Sequence, residues 1–169
     1  MNCYKNSLCF FYLMLPALFF AQAENQFNGV NLNESLETVQ GKLNTIAATS
    51  KVINVDQPVF PLAKAREQHL VCSHIKTGSG TIEKAVFTFS DDQLTYVEAR
   101  GNVRKSLLTH IKDTASHYLG YDIYEQQKLF VNTKKDVARI MTNDAMHPNL
   151  FVWENPYLDT DKKIEALPN

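Results

Sequence analysis

Three side chains able to hold a metal, His69, Cys72 and His74, fall within six consecutive residues. On a β-strand, alternation puts Cys72 and His74 on one face and His69 on the other, so three-ligand closure would need a bulge. Structural zinc asks for four ligands in tetrahedral array, and no CxxC or HxxxH spacing supplies the remainder. The spacing therefore predicts one core cysteine, two solvated histidines, and neither metal nor cofactor. The other chemistry on offer is a thiol nucleophile, Cys72, activated by a histidine brought near in space. Its neighbours Leu70, Val71 and Ile75 argue against activation, because apolar surroundings raise a thiol pKa. His110 and His117, two turns apart if helical, would be separated by about 10 Å along the axis, too far for one ion.

A different kind of chemistry is suggested by His147 to Tyr157, which carries the single tryptophan of the chain. Phe151, Trp153 and Tyr157 are candidate partner-binding residues, since Trp and Tyr dominate binding hot spots. Strict alternation sets Leu150 and Val152 on one face and Phe151 and Trp153 on the other, so one pair must be covered by a second layer or by a partner. A buried strand ended by Pro156 and an aromatic anchor both fit the pattern.

The elements that would position these residues follow from periodicity. Ser35 predicts an N-cap, and Leu36, Val39, Leu43, Ile46 and Ala47 repeat at helical spacing, predicting a helix over 36–48. Lys51 to Val55 is β-prone, and Pro58 and Pro61 mark a connector. From Gln68 the period changes to two, predicting strands over 68–75, 82–89 and 94–100. Gly78-Ser79-Gly80 and Ser90-Asp91-Asp92 supply their turns. Ala85, Phe87 and Phe89 face one way and Lys84, Val86 and Thr88 the other, as in a meander with one covered face. A second helix is expected over 103–119, with Gly120 just past its end. Strands over 128–132, 137–142 and 149–153 complete the chain. The expected fold is thus α+β: a helix followed by a three-stranded antiparallel meander, arranged twice, with the helices packed on one face of the sheet.

The N-terminus sets the compartment. Lys5 precedes an apolar run from Leu8 to Phe20, and Ala21-Gln22-Ala23 places small residues at a peptidase site. This is the pattern of a signal peptide, and the run is shorter than the roughly 20 apolar residues a membrane-spanning helix needs. The expected organisation is a signal peptide over 1–23, one domain over 24–158 and a charged tail over 159–169. Cys3 and Cys9 would leave with the signal, so Cys72 would have no disulfide partner within the chain. Cys9 follows Asn6-Ser7-Leu8 instead of a small-residue lipobox and stands at the start of the apolar run instead of after it, which argues against a lipid-attachment role. The 17 basic and 18 acidic residues give a net charge of −1. That balance speaks against nucleic acid or an anionic membrane as partner.

Phe27-Asn28-Gly29-Val30-Asn31-Leu32-Asn33-Glu34-Ser35-Leu36 with Val39, and Val86-Phe87-Thr88-Phe89 with Leu94-Thr95-Tyr96-Val97, resemble small bacterial cell-envelope proteins of the BamE/SmpA and β-lactamase-inhibitor-protein-like kind. The resemblance spans residues 27–100. It implies an α+β module that binds another protein and has no catalytic site. The sequence thus points to an exported protein without a stable membrane anchor, periplasmic or extracellular, acting as a non-catalytic protein-binding module. The alternative is a small secreted hydrolase or thiol-dependent enzyme using Cys72 and a histidine.

Overall fold

The computed structural model describes residues 27–112, 114–141 and 153–158. The expected signal peptide over 1–23, Phe151 and the expected charged tail over 159–169 lie outside the described residues. The helix α1, Leu36–Leu43, begins as the sequence predicts, with Ser35 Oγ accepting from the Thr38 amide at 3.3 Å. It ends five residues early because the following backbone groups are taken by a strand. The Ile46 carbonyl accepts from Lys76 N and the Ala48 amide donates to Ser73 O, and β1, Thr49–Val55, then pairs with β2, Glu67–Lys76. Hydrogen bonds to a neighbouring strand outweigh one more turn of a helix already weakened by Gly41.

β3, Thr81–Ser90, and β4, Gln93–Arg100, extend this meander. The Ser90–Gln93 turn is made by Asp91 and Asp92 at φ 49° and 70°, the positive pair that matches the twist of a hairpin. Here α2 begins, but it covers only Val103–Leu107. The expected helix over 103–119 is overturned: β5, Ser116–Tyr118, and β6, Tyr121–Tyr124, form a hairpin through Leu119 and Gly120 at φ 46° and 82°. Gly120 is therefore a turn residue, not a helix terminus. The β-branched and aromatic residues Tyr118, Tyr121, Ile123 and Tyr124 prefer an extended backbone, and that preference prevails over the helical spacing of Ile111, Ala115 and Tyr118. β7, Leu129–Asn132, and β8, Val137–Met141, follow.

The eight strands of the described residues form one antiparallel sheet in the order β1-β2-β3-β4-β8-β7-β6-β5. The expected α+β arrangement of two helix-plus-three-strand units does not occur. Each short helix precedes four strands, and the two four-stranded meanders join edge to edge where β4 meets β8. Expected strand 149–153 falls largely outside the described residues, and Trp153 to Asn155 carry no strand.

Register sorts the side chains into two faces. On the first, the rows Leu70–Phe87–Val97 and Cys72–Ala85–Ala99–Ala138–Val131 run across the sheet. Phe27, Val39, Leu43, Val103 and Leu107 pack over them. A bulge leaves Thr95 unpaired between Phe89↔Leu94 and Thr88↔Tyr96. Leu94 thus enters the first core while Tyr96, two residues on, turns to the opposite face, where regular alternation would have kept them together. The second face is covered too, contrary to the expectation of one covered face. The connector between β1 and β2 brings Phe60, Leu62 and Ala63, and the segment 153–158 brings Trp153, Tyr157 and Leu158.

Candidate functional site

The second face holds a layer of polar side chains between the sheet and its two coverings. His69, Thr88 and Tyr96 are register partners on β2, β3 and β4, with Glu98 and Arg139 beside them on β4 and β8. Each is buried, as are Glu67 and Asn155. His69 Nε2 lies 2.6 Å from Glu67 Oε1, and His69 Nδ1 lies 3.1 Å from Thr88 Oγ1. Glu67 Oε2 also accepts the amides of Val59 and Phe60 at 2.6 and 2.9 Å, which ties the connector to β2. Its far end is held by Asp91, whose carboxylate accepts from the amides of Lys64, Ala65 and Arg66.

The segment 153–158 is fastened by the rest of the layer. Asn155 Nδ2 donates to Thr88 Oγ1 at 3.0 Å and sits 3.4 Å from His69 Nδ1. The Asn155 amide donates to Glu98 Oε2 at 3.0 Å, and Tyr96 donates to Glu98 Oε2 at 2.9 Å and to the Trp153 carbonyl at 3.3 Å. Arg139 approaches Glu98 at 3.9 Å and stacks over the Tyr121 ring at 5.1 Å. Aromatic rings close the layer: Trp153 meets Phe60 at 4.8 Å and Tyr96 at 5.3 Å, and Tyr157 meets His69 at 4.9 Å.

Burial governs the protonation states. It holds His69 below the ordinary imidazole range, the Glu67 carboxylate pulling the other way, so the ring is neutral at pH 7. Burial holds the Glu98 carboxyl above its usual range against the pull of Arg139. It pushes the Tyr96 phenol well up, with Glu98 adding to the effect. A neutral His69 that donates from Nε2 to Glu67 accepts at Nδ1 from Thr88. This acid–imidazole–hydroxyl chain has the parts of a hydrolytic triad, but Thr88 and His69 are fully buried beneath Asn155, leaving no space where a substrate carbonyl could sit beside the hydroxyl.

The residues singled out from sequence separate in space. Cys72 lies in the first-face core, its thiol pushed up to about 12 by burial, with His69 on the other side of the sheet. His74 is exposed at φ 51°. His69, expected to be solvated, is buried. His110 is exposed, and exposed His117 pairs with Asp122 at 2.7 Å on the β5–β6 hairpin. Trp153 and Tyr157 are half-buried against the polar layer. Among the described residues no three His, Cys, Asp or Glu side chains converge as metal ligands. An open, shallow concavity of about 530 Å³ lies at the α2 end, lined by Asn102, Arg104, Lys105, Leu108, Thr109 and Asp136. None of these residues belongs to the buried layer.

Sequence reasoning missed Glu67, Thr88, Glu98, Arg139 and Asn155. A signal was present for three of them: Thr88 lies between Phe87 and Phe89, Glu98 between Val97 and Ala99, and Arg139 between Ala138 and Ile140. A polar residue at every alternate position reads as a solvated face, and a covered face gives the same pattern when its polar groups are mutually bonded. Comparison with protein families, with curated proteins and with solved structures finds no match to this chain.

Proposed function

We propose that this chain is an exported, non-catalytic module that binds another protein in the periplasm or outside the cell, in the manner of the envelope proteins that residues 27–100 resemble. The observation that carries the reading is the outer hairpin of the sheet. Tyr118 and Leu119 are 57% and 66% exposed at its tip, beside β5, which is the edge strand of the sheet among the described residues. An exposed aromatic with an exposed leucine next to a sheet edge offers a partner both apolar area and backbone hydrogen bonds. The buried layer supports the same reading, because His69, Thr88, Glu98 and Asn155 direct their hydrogen bonds to one another and to the covering segments. The enzyme alternative gains no support from an arrangement with Cys72 and His69 on opposite faces. The aromatic candidates Trp153 and Tyr157 are half-buried against the sheet, so a partner can take the whole of either ring only if their segment leaves it.

A photo-crosslinking phenylalanine analogue at position 118, incorporated in producing cells, tests the proposal. A discrete adduct that disappears with Leu119→Ser is expected, with none from the same analogue at exposed Thr49. Equal labelling at both positions would refute a binding surface at the hairpin.

A further inference from the structure

The covering segment 153–158 and the covering connector are fastened to the same histidine through different partners. The connector hangs on Glu67, which His69 engages through Nε2. The segment 153–158 hangs on Asn155, whose Nδ2 points at Thr88 Oγ1 and towards His69 Nδ1. We propose that residues 153–158 form a proton-operated strap, closed on the sheet while His69 is neutral and released when His69 Nδ1 takes up a proton from solvent.

The argument is one of donors and acceptors. In the closed state Nδ1 is an acceptor and faces two donors, the Thr88 hydroxyl and the Asn155 carboxamide. A proton on Nδ1 makes it a donor, and the Asn155 Nδ2 at 3.4 Å then confronts it donor to donor. Thr88 Oγ1 can turn to accept from the ring, but its own hydrogen then loses its acceptor in a site closed to water, a costly arrangement. Asn155 cannot relieve the conflict by turning its amide over. Its Oδ1 accepts from the Tyr157 amide at 3.0 Å, and the Asn155 carbonyl accepts from Leu158 N at 3.1 Å, so a flip breaks the turn that shapes the strap. Glu67, by contrast, gains a charged partner and keeps the connector in place.

Among the described residues, Glu67 faces His69 from its own strand and Tyr157 from the strap. Tyr96 and Glu98 on β4 and Arg139 on β8 stand in the same layer, and Glu154 lies on the strap. Burial lowers the readiness of His69 to protonate when closed, so opening and proton uptake reinforce each other. Glu98 acts in the opposite sense: its carboxyl is raised when closed, and its own protonation favours closure. It still offers an oxygen to the Asn155 amide when protonated, whereas protonated His69 offers nothing to the Asn155 carboxamide.

The single tryptophan sits on the strap, so iodide quenching of Trp153 reports its release in the whole protein. Between about pH 7.5 and about pH 5, bracketing the ordinary histidine range, quenching should rise several-fold while far-UV circular dichroism stays unchanged. Hydrogen exchange should quicken at Asn155, Tyr157 and Leu158 but not at Phe60. Glu98→Gln should retain the transition. His69→Gln should abolish it, and Asn155→Ala, which leaves the sheet layer intact, should give an acid-independent, open level of quenching. Flat quenching in both the wild type and Glu98→Gln, a transition that persists in His69→Gln, or one that coincides with loss of the dichroism signal would overturn the proposal.

Discussion

Neutral His69 and buried Cys72 show how one strand, β2, commits two reactive residue types to structure by sending them to opposite faces. The His69 pKa is lowered in the folded state, first by burial. An unfolded chain therefore accepts a proton near the ordinary value of ~6.5 that the folded chain refuses. Stability is fully present above that value and declines as pH falls towards the folded pKa. Urea midpoints measured downward from neutral pH should fall through this window, and His69→Gln should flatten the dependence. Glu98 has the opposite sign, its raised pKa contributing stability that is lost as pH rises through the folded value. For Cys72, whose thiol is held up to about 12, native alkylation at neutral pH should be negligible and should become fast on unfolding. Cys72→Ser places a hydroxyl among Leu70, Ala85 and Ala99 and should cost about 1–3 kcal/mol by the same denaturation assay.

At the scale of elements, the bulge at Thr95 is the feature with the largest consequence. It lets Leu94 and Tyr96 serve opposite cores, and a deletion test follows directly. Removing Thr95 restores an uninterrupted ladder and loses only the contacts of its hydroxyl with Ser90 Oγ and the Thr88 carbonyl, a cost of about 1–3 kcal/mol for two hydrogen bonds. Removing Val97 instead would reverse the faces of the strand beyond it and should prevent folding, because a one-residue slip exchanges every inward side chain. Circular dichroism and thermal melts of the two deletions distinguish these outcomes. The short α2 depends on a remote cap: Asp136 accepts the amides of Asn102 and Val103 at 2.7 and 2.9 Å. Asp136→Ala should destabilise the protein by about 0.5–2 kcal/mol, with amide exchange quickening first over 102–107.

At the scale of the whole molecule, the described residues form a sheet whose middle strands are covered on both sides but by different means. The first face is closed by apolar packing, the second by a bonded polar layer under two irregular segments. Packing of this second kind is conditional, since it holds only while each donor meets an acceptor. Trp153→Ala should cost about 2 kcal/mol, below the 3–5 kcal/mol typical of a fully buried aromatic, because the indole is only half-buried. Global denaturation monitored by circular dichroism checks that figure independently of the strap.

The sequence determined the local events of this fold. Ser35 marked the start of α1, alternation marked the cores of β2, β3 and β4, and Asp91-Asp92 marked their turn, since each depends on residues close together in the chain. Apolar neighbours likewise announced Cys72 as a core thiol. The tertiary structure decided where those local preferences yield. Strand β2 drew Ile46 and Ala48 out of the expected helix, and the Leu119–Gly120 turn converted a helical period into a hairpin against β7. Only the fold could show that the polar positions His69, Thr88, Glu98 and Arg139 face a covered interior. A strand's own pattern records which residues share a face, but whether that face meets water or Asn155, 86 residues on from His69 and 57 from Glu98, is fixed by segments the pattern does not contain.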